Sequence, residues 1–98
     1  MATYAYRILP PRPDFAATIQ PAEMEVMGRH FAHLQDLHGR GVIRYVGRAA
    51  NGDYGFCVFD AEDDDAARAV AGSDPAVAEG LMTLELHPFM VVFDAPAR

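Results

Sequence analysis

Lysine is missing from this chain: all 8 basic residues are arginine. Schiff-base catalysis needs a lysine amine and the phosphate-binding loop of nucleotide hydrolases a lysine ammonium, so both are excluded. Basic residues of any kind are few. Against 14 acidic side chains they leave a formal net charge of -6 and a pI near 4.9. Affinity for nucleic acid comes mainly from clustered Lys and Arg that neutralise phosphates, so nucleic acid is not expected as a partner. The single cysteine, Cys57, cannot form an internal disulfide. No apolar run approaches the roughly 20 residues that span a bilayer, and the segment from Met1 to Arg7 lacks the long apolar core of a signal peptide. The expectation is a soluble, cytoplasmic protein without a membrane partner. Internal repeats and low-complexity tracts are also lacking.

What is present is 98 residues with 51% hydrophobic content, which fits one domain over 1–98 built on a two-layer core. Such a core leaves little room for a deep internal pocket. A ligand site is therefore expected between elements or between subunits, and dimerisation is expected with it.

Thr3 to Ile8 alternates Tyr4, Tyr6 and Ile8 against Ala5 and Arg7, the period of a strand. Pro10-Pro11-Arg12-Pro13 ends it as a stiff loop. Pro21 fits the first position of a helix, with Glu23 and Glu25 in the first turn, His38 and Arg40 in the last, and Gly39 and Gly41 at the end. Met24, Met27, Phe31, Leu34, Leu37 and His38 share one side of that helix, and His30 falls on the same stripe. Val42 to Arg48 and Tyr54 to Phe59 read as a strand pair, with Asn51-Gly52 supplying the positive φ angles of the turn. Glu62-Asp63-Asp64-Asp65 opens an alanine-rich second helix closed at Gly72. Asp74 is then placed as the N-cap of a short turn beginning at Pro75 and closing at Gly80. Leu81 to Phe93 reads as the last strand, interrupted at Pro88, which an edge or a bulge tolerates.

The order is β-α-β-β-α-β. The expected fold class is α+β: a ferredoxin-like four-stranded antiparallel sheet with two helices on one face and the last strand at an edge. The helix-free face reads as apolar, so it is expected to pack against a second copy, giving a homodimer.

Within His30-Phe31-Ala32-His33-Leu34-Gln35-Asp36-Leu37-His38-Gly39-Arg40-Gly41, a His is followed by Leu at the fourth and seventh positions and Gly at the eleventh. Together with Ser73-Asp74-Pro75-Ala76-Val77-Ala78-Glu79-Gly80 and Leu86-His87-Pro88-Phe89, this pattern resembles the YciI-like (YCII-related) family from Tyr4 to about Phe93. The resemblance implies a ferredoxin-like fold assembled as a dimeric α+β barrel. It also implies a His and an Asp acting as a catalytic pair, which by position are His30 and Asp74.

An imidazole exchanges protons near neutrality, and a neighbouring carboxylate fixes its tautomer and stabilises its cation. His30 oriented by Asp74 would suit proton abstraction next to a carbonyl, elimination or isomerisation of a small molecule, and the family resemblance implies dehydrochlorination as one such elimination. No cofactor and no metal are expected, since no Cys or carboxylate stands at ligand spacing beside His30, His33 or His38. Arg7 and Tyr6 on the first strand, and His87 on the last, are candidate substrate-binding residues. Arg7 offers a fork for a carboxylate, or else pairs with an acidic neighbour.

Each of these residues also has a plainer role. His30 fits a packed histidine with satisfied ring nitrogens, Asp74 a helix cap, His33 and His87 solvated side chains, His38 a complement to the helix dipole, and Cys57 a buried, inert thiol. Two other functions stay open from sequence: a module that binds a metabolite without turning it over, and a purely structural dimer.

Overall fold

The computed structural model describes residues 1–96; positions 97–98 of the expected domain lie outside them. The chain runs β1 (Ala2–Leu9), α1 (Phe15–Thr18), α2 (Pro21–Gly39), β2 (Ile43–Arg48), β3 (Gly55–Ala61), α3 (Asp64–Gly72), α4 (Pro75–Ala78) and β4 (Thr83–Pro88). The four strands form one sheet in the order β2-β3-β1-β4, with every neighbouring pair antiparallel. This is the β-α-β-β-α-β arrangement, with the single-turn helices α1 and α4 added before α2 and after α3.

Strand pleating sorts side chains between two faces. Tyr4, Tyr6 and Ile8 of β1 sit opposite Phe59, Cys57 and Gly55 of β3 and beside Pro88, Leu86 and Leu84 of β4. That face carries the core, closed by Leu34 and Leu37 of α2 and by Ala67 and Ala71 of α3. Phe59 is fully buried, with its ring 5.9 Å from Tyr4 and 5.8 Å from Tyr6. Alanines on α3 let that helix lie close to the sheet, while the aromatic rings of the strands fill the volume. On the opposite face, Phe56 packs edge-on against Tyr45 at 6.5 Å and Phe89 at 5.9 Å.

Several local expectations are corrected. The last strand begins at Thr83 and ends at Pro88 rather than spanning Leu81 to Phe93. Before it, the Met82 N–H is drawn to the Ala76 carbonyl; Pro88 stands opposite Tyr4 on the edge strand, and the Phe89 N–H still reaches the Thr3 carbonyl at 3.0 Å, so the missing proline N–H costs no bond to β1. In the β2–β3 connection only Gly52 takes a positive φ, of 82°. Asn51 does not, because its side-chain oxygen accepts the Asp53 N–H in a local turn. The buried side of α2 is displaced from the expected stripe toward His33. Met24 and Phe31 are 59% and 61% exposed and His38 is exposed, whereas His33, expected in solvent, is half-buried with its Nε2 enclosed and unpartnered among the described residues. The turn α1 has no counterpart among the elements read from the sequence.

Candidate active site

Asp74 joins α3 to α4 in an extended conformation (φ -59°, ψ 123°), and Pro75 starts the following turn. Its Oδ1 accepts the Ala76 N–H at 2.9 Å, the bond of an N-cap. The residue has no exposed surface. A carboxylate in that position needs further donors, and two arrive from distant parts of the chain. The Tyr6 hydroxyl, projecting from β1, donates to Oδ2 at 3.0 Å. His30 Nδ1, from α2, lies 2.8 Å from both carboxylate oxygens.

His30 reaches Asp74 because α2 packs across the sheet with its Leu34 and Leu37 side down. The Arg29–Glu79 ion pair ties the same turn of α2 to the end of α4. The imidazole is 13% exposed. An ionised carboxylate only accepts, so Nδ1 carries the hydrogen and the neutral ring presents the Nε2 lone pair on its other side.

Burial pushes the Asp74 carboxyl up, but the hydrogen bond and charge of His30, the Ala76 N–H and the Tyr6 hydroxyl outweigh it and hold the group below the ordinary carboxylate value. Burial and then the Asp74 charge drive the Tyr6 phenol far above its usual range, so it stays a donor. Cys57, which stands opposite Tyr6 on β3, is 2% exposed. Its thiol is raised to about 12, by burial first and the Asp74 charge second, which makes it a poor nucleophile.

His30 lines a cavity of about 600 Å³ between α2, α1 and the β1–β3–β2 part of the sheet. Phe15 and Ile19 close one side, Met27 and Phe31 another, and Val46 and Cys57 contribute to the floor. The volume suits a small organic molecule. Gly55 leaves that floor open where a Cβ would come within 3.1 Å of Ile8 Cγ1. The polar side chains lining the cavity are few: His30, Tyr6, Arg48 and Tyr54.

The structure thus brings His30, Asp74 and Tyr6 together, and not Arg7 or His87. Tyr6 and Arg7 are consecutive on β1 and necessarily face opposite ways. Arg7 pairs with Glu85 on the helix-free face, Nε to Oε1 at 2.8 Å, and its guanidinium stacks over Tyr54 at 5.6 Å. His87 stands opposite Ala5 on that same face and is exposed. Sequence reasoning missed Arg12, whose guanidinium holds both Glu23 oxygens at 2.8 Å and the Thr18 carbonyl at 2.7 Å, and lies 5.2 Å from the Phe15 ring centre. The one hint was an arginine inside a proline run with acidic residues one helical turn into α2. No group of three or more His, Cys, Asp or Glu side chains able to hold a metal occurs among the described residues.

A family model described as the YCII-related domain matches residues 5–89. Among solved structures, the fold is similar to 5-chloro-2-hydroxyhydroquinone dehydrochlorinase from Burkholderia phenoliruptrix AC1100 in complex with 2,5-dihydroxybenzoquinone. That match has a TM-score of 0.63 and 18% identity over 89% of this chain and 93% of that one. It is also similar to muconolactone isomerase, with a TM-score of 0.72 and 16% identity over 98% of this chain and 96% of that one. At such identities the likeness is one of fold. No curated protein sequence matches the chain.

Proposed function

The chain belongs to the YCII-related domain family, and we propose that it is a small-molecule enzyme in which His30 is the general acid/base and Asp74 orients it. The observation that carries this reading is the buried Asp74 carboxylate 2.8 Å from Nδ1 of an imidazole that lines an apolar cavity. The free Nε2 takes a proton from a carbon next to a carbonyl, and the C–H electron pair becomes part of an enolate. Returning the proton to another carbon completes an isomerisation. Expelling a leaving group with its electron pair completes an elimination, after which Nε2 releases the proton to water. Dehydrochlorination and isomerisation, the reactions named for the two structural neighbours, are both served by one group that accepts and returns a proton.

The test is hydrogen–deuterium exchange at carbon, followed by proton NMR on a panel of small carbonyl compounds in D2O. The protein is expected to accelerate exchange, and His30→Gln to reduce the enzymatic rate about 10²–10⁴-fold, the usual share of a positioned acid/base. Equal rates for the two proteins would overturn the assignment. Binding without exchange in wild type would leave a metabolite-binding module instead.

The helix-free face is assigned to a homodimer interface. Tyr45 is 62% exposed there, and Phe89, which packs on Phe56 of the same face, is 39% exposed. Sedimentation of wild type and Tyr45→Glu is the check: a monomeric wild type, or an unaffected dimer in the variant, would remove the assignment.

A further inference from the structure

The proposed reaction leaves open what the cavity accepts, and the arginines bear on that question. Arg7 is paired with Glu85, Arg12 with Glu23, Arg29 with Glu25 and Glu79, Arg40 with Asp36, Arg44 with Asp60, and Arg68 with Asp65. Arg48 alone has no carboxylate partner among the described residues, although acidic side chains outnumber basic ones 14 to 8. It lies at the end of β2, paired with Gly55, two residues beyond Val46 and on the same face of the strand. That face carries the cavity, and Arg48 is part of its lining.

The sheet register sets the scale. Arg48, Gly55 and Ile8 form one row across β2, β3 and β1, while Val46, Cys57 and Tyr6 form the row two residues away. Strands about 4.8 Å apart, with a rise of about 3.3 Å per residue, put the Cα of Arg48 about 12 Å from that of Tyr6. Between them the walls are apolar and partly aromatic. Phe15 and Phe31 line the space on the helical side and Met27 beside them adds a polarisable sulfur, surfaces that suit a flat ring.

We propose that Arg48 is the anion anchor of this cavity and that the substrate is a small, flat, unsaturated anion. Its carboxylate or phenolate lies on the guanidinium, its ring between α2 and the sheet, and the carbon to be deprotonated toward His30 Nε2. The overall negative charge does not oppose this, because at physiological ionic strength charges beyond about 8 Å are largely screened. A guanidinium without an internal partner offers its planar fork to a carboxylate at no cost of breaking an existing pair.

This proposal deepens the acid/base reading and rests on it, so the experiment separates the two. Phenylpyruvate is the anionic probe and 1-phenyl-2-propanone its neutral counterpart; both carry exchangeable protons next to a carbonyl. Affinities are measured by calorimetry, and exchange in D2O by NMR, for wild type, Arg48→Gln and Arg48→Lys. Arg48 is exposed, and an unchanged melting temperature verifies that each variant is folded.

Wild type is expected to bind phenylpyruvate about tenfold or more tightly than the ketone, the scale of one charge-assisted contact. Arg48→Gln should erase that preference while leaving ketone affinity within about twofold, and Arg48→Lys should restore part of it. A preference that survives in Arg48→Gln, or no preference in wild type, overturns the anchor. If the Arg48-dependent preference stands but wild type does not accelerate exchange, the acid/base reading fails and the anchor survives. Accelerated exchange that is indifferent to Arg48 removes the anchor and leaves the acid/base reading standing.

Discussion

Replacing Asp74 separates its structural work from its chemical work. In Asp74→Ala the Ala76 N–H loses its cap acceptor, which costs about 1 kcal/mol. The Tyr6 hydroxyl, in a side chain that is 2% exposed, loses the acceptor it reaches at 3.0 Å, which costs a further 1–3 kcal/mol or so. The sum is about 2–4 kcal/mol, a large share of the roughly 5–15 kcal/mol available to a domain. Asp74→Asn differs. Its carbonyl oxygen still caps Ala76, and its amide faces Tyr6, whose hydroxyl can rotate to accept. A loss of about 1 kcal/mol is expected, from exchanging charged for neutral hydrogen bonds. The same amide donates toward His30 Nδ1, forcing the ring hydrogen onto Nε2, where the lone pair had been. Urea unfolding should therefore rank Ala about 2 kcal/mol below Asn. Ring nitrogen-15 shifts of His30 should show the hydrogen on Nδ1 in wild type and on Nε2 in Asp74→Asn. Equal destabilisation by the two substitutions, or an unchanged tautomer in Asp74→Asn, would refute this account.

Three further outcomes are expected. The Asp74 carboxyl lies below its ordinary range, so the stability its ionised form contributes is present above about pH 4 and lost as the pH falls through the native value. Urea melts should show the gap between wild type and Asp74→Asn shrinking below pH 4, and a gap constant to pH 2 would contradict it. Arg12→Met should raise the KM for exchange of a bound ketoacid more than it lowers kcat, because it loosens the α1 wall and not the dyad; a change confined to kcat would oppose this. Cys57, with its thiol pushed up to about 12, should resist iodoacetamide at pH 8 until the protein is unfolded, and rapid labelling of native protein read by mass spectrometry would be the contrary result.

The elements whose signals are local are legible in the sequence itself. Pro21, Gly72 and Asp74-Pro75 mark helix ends through their own backbone chemistry, and those boundaries stand within a residue or so. β1 is legible from its alternation and the β2–β3 pair from the Asn51-Gly52 turn between two strand-like runs, and the β-α-β-β-α-β order follows. What sequence misreads depends on packing or on competition for hydrogen bonds. The 3.6-residue wheel cannot say which flank of α2 meets the sheet, so it turns Met24 and Phe31 inward and His33 outward. Propensity alone gives Asn51 a positive φ, whereas its side chain has a nearer use in binding Asp53. The meeting of His30 with Asp74 is reached through family resemblance, since no spacing along the chain encodes it. Adjacency groups Tyr6 with Arg7, although pleating sends adjacent strand residues to opposite faces.

The three groups at the site come from β1, α2 and the α3–α4 junction. Tyr6 and Asp74 are 68 positions apart along the chain, and His30 and Asp74 are 44 apart. Closing such long loops is entropically expensive and is compensated only once the contacts form. Neither β1 with α2 nor the β2–β3 ribbon alone can hold the imidazole in place, so a refolding chain acquires proton-transfer competence only when the second half of the molecule docks on the first. Regain of exchange activity after dilution from denaturant would therefore report the last long-range closure, while circular dichroism, which senses helices formed locally, would recover earlier.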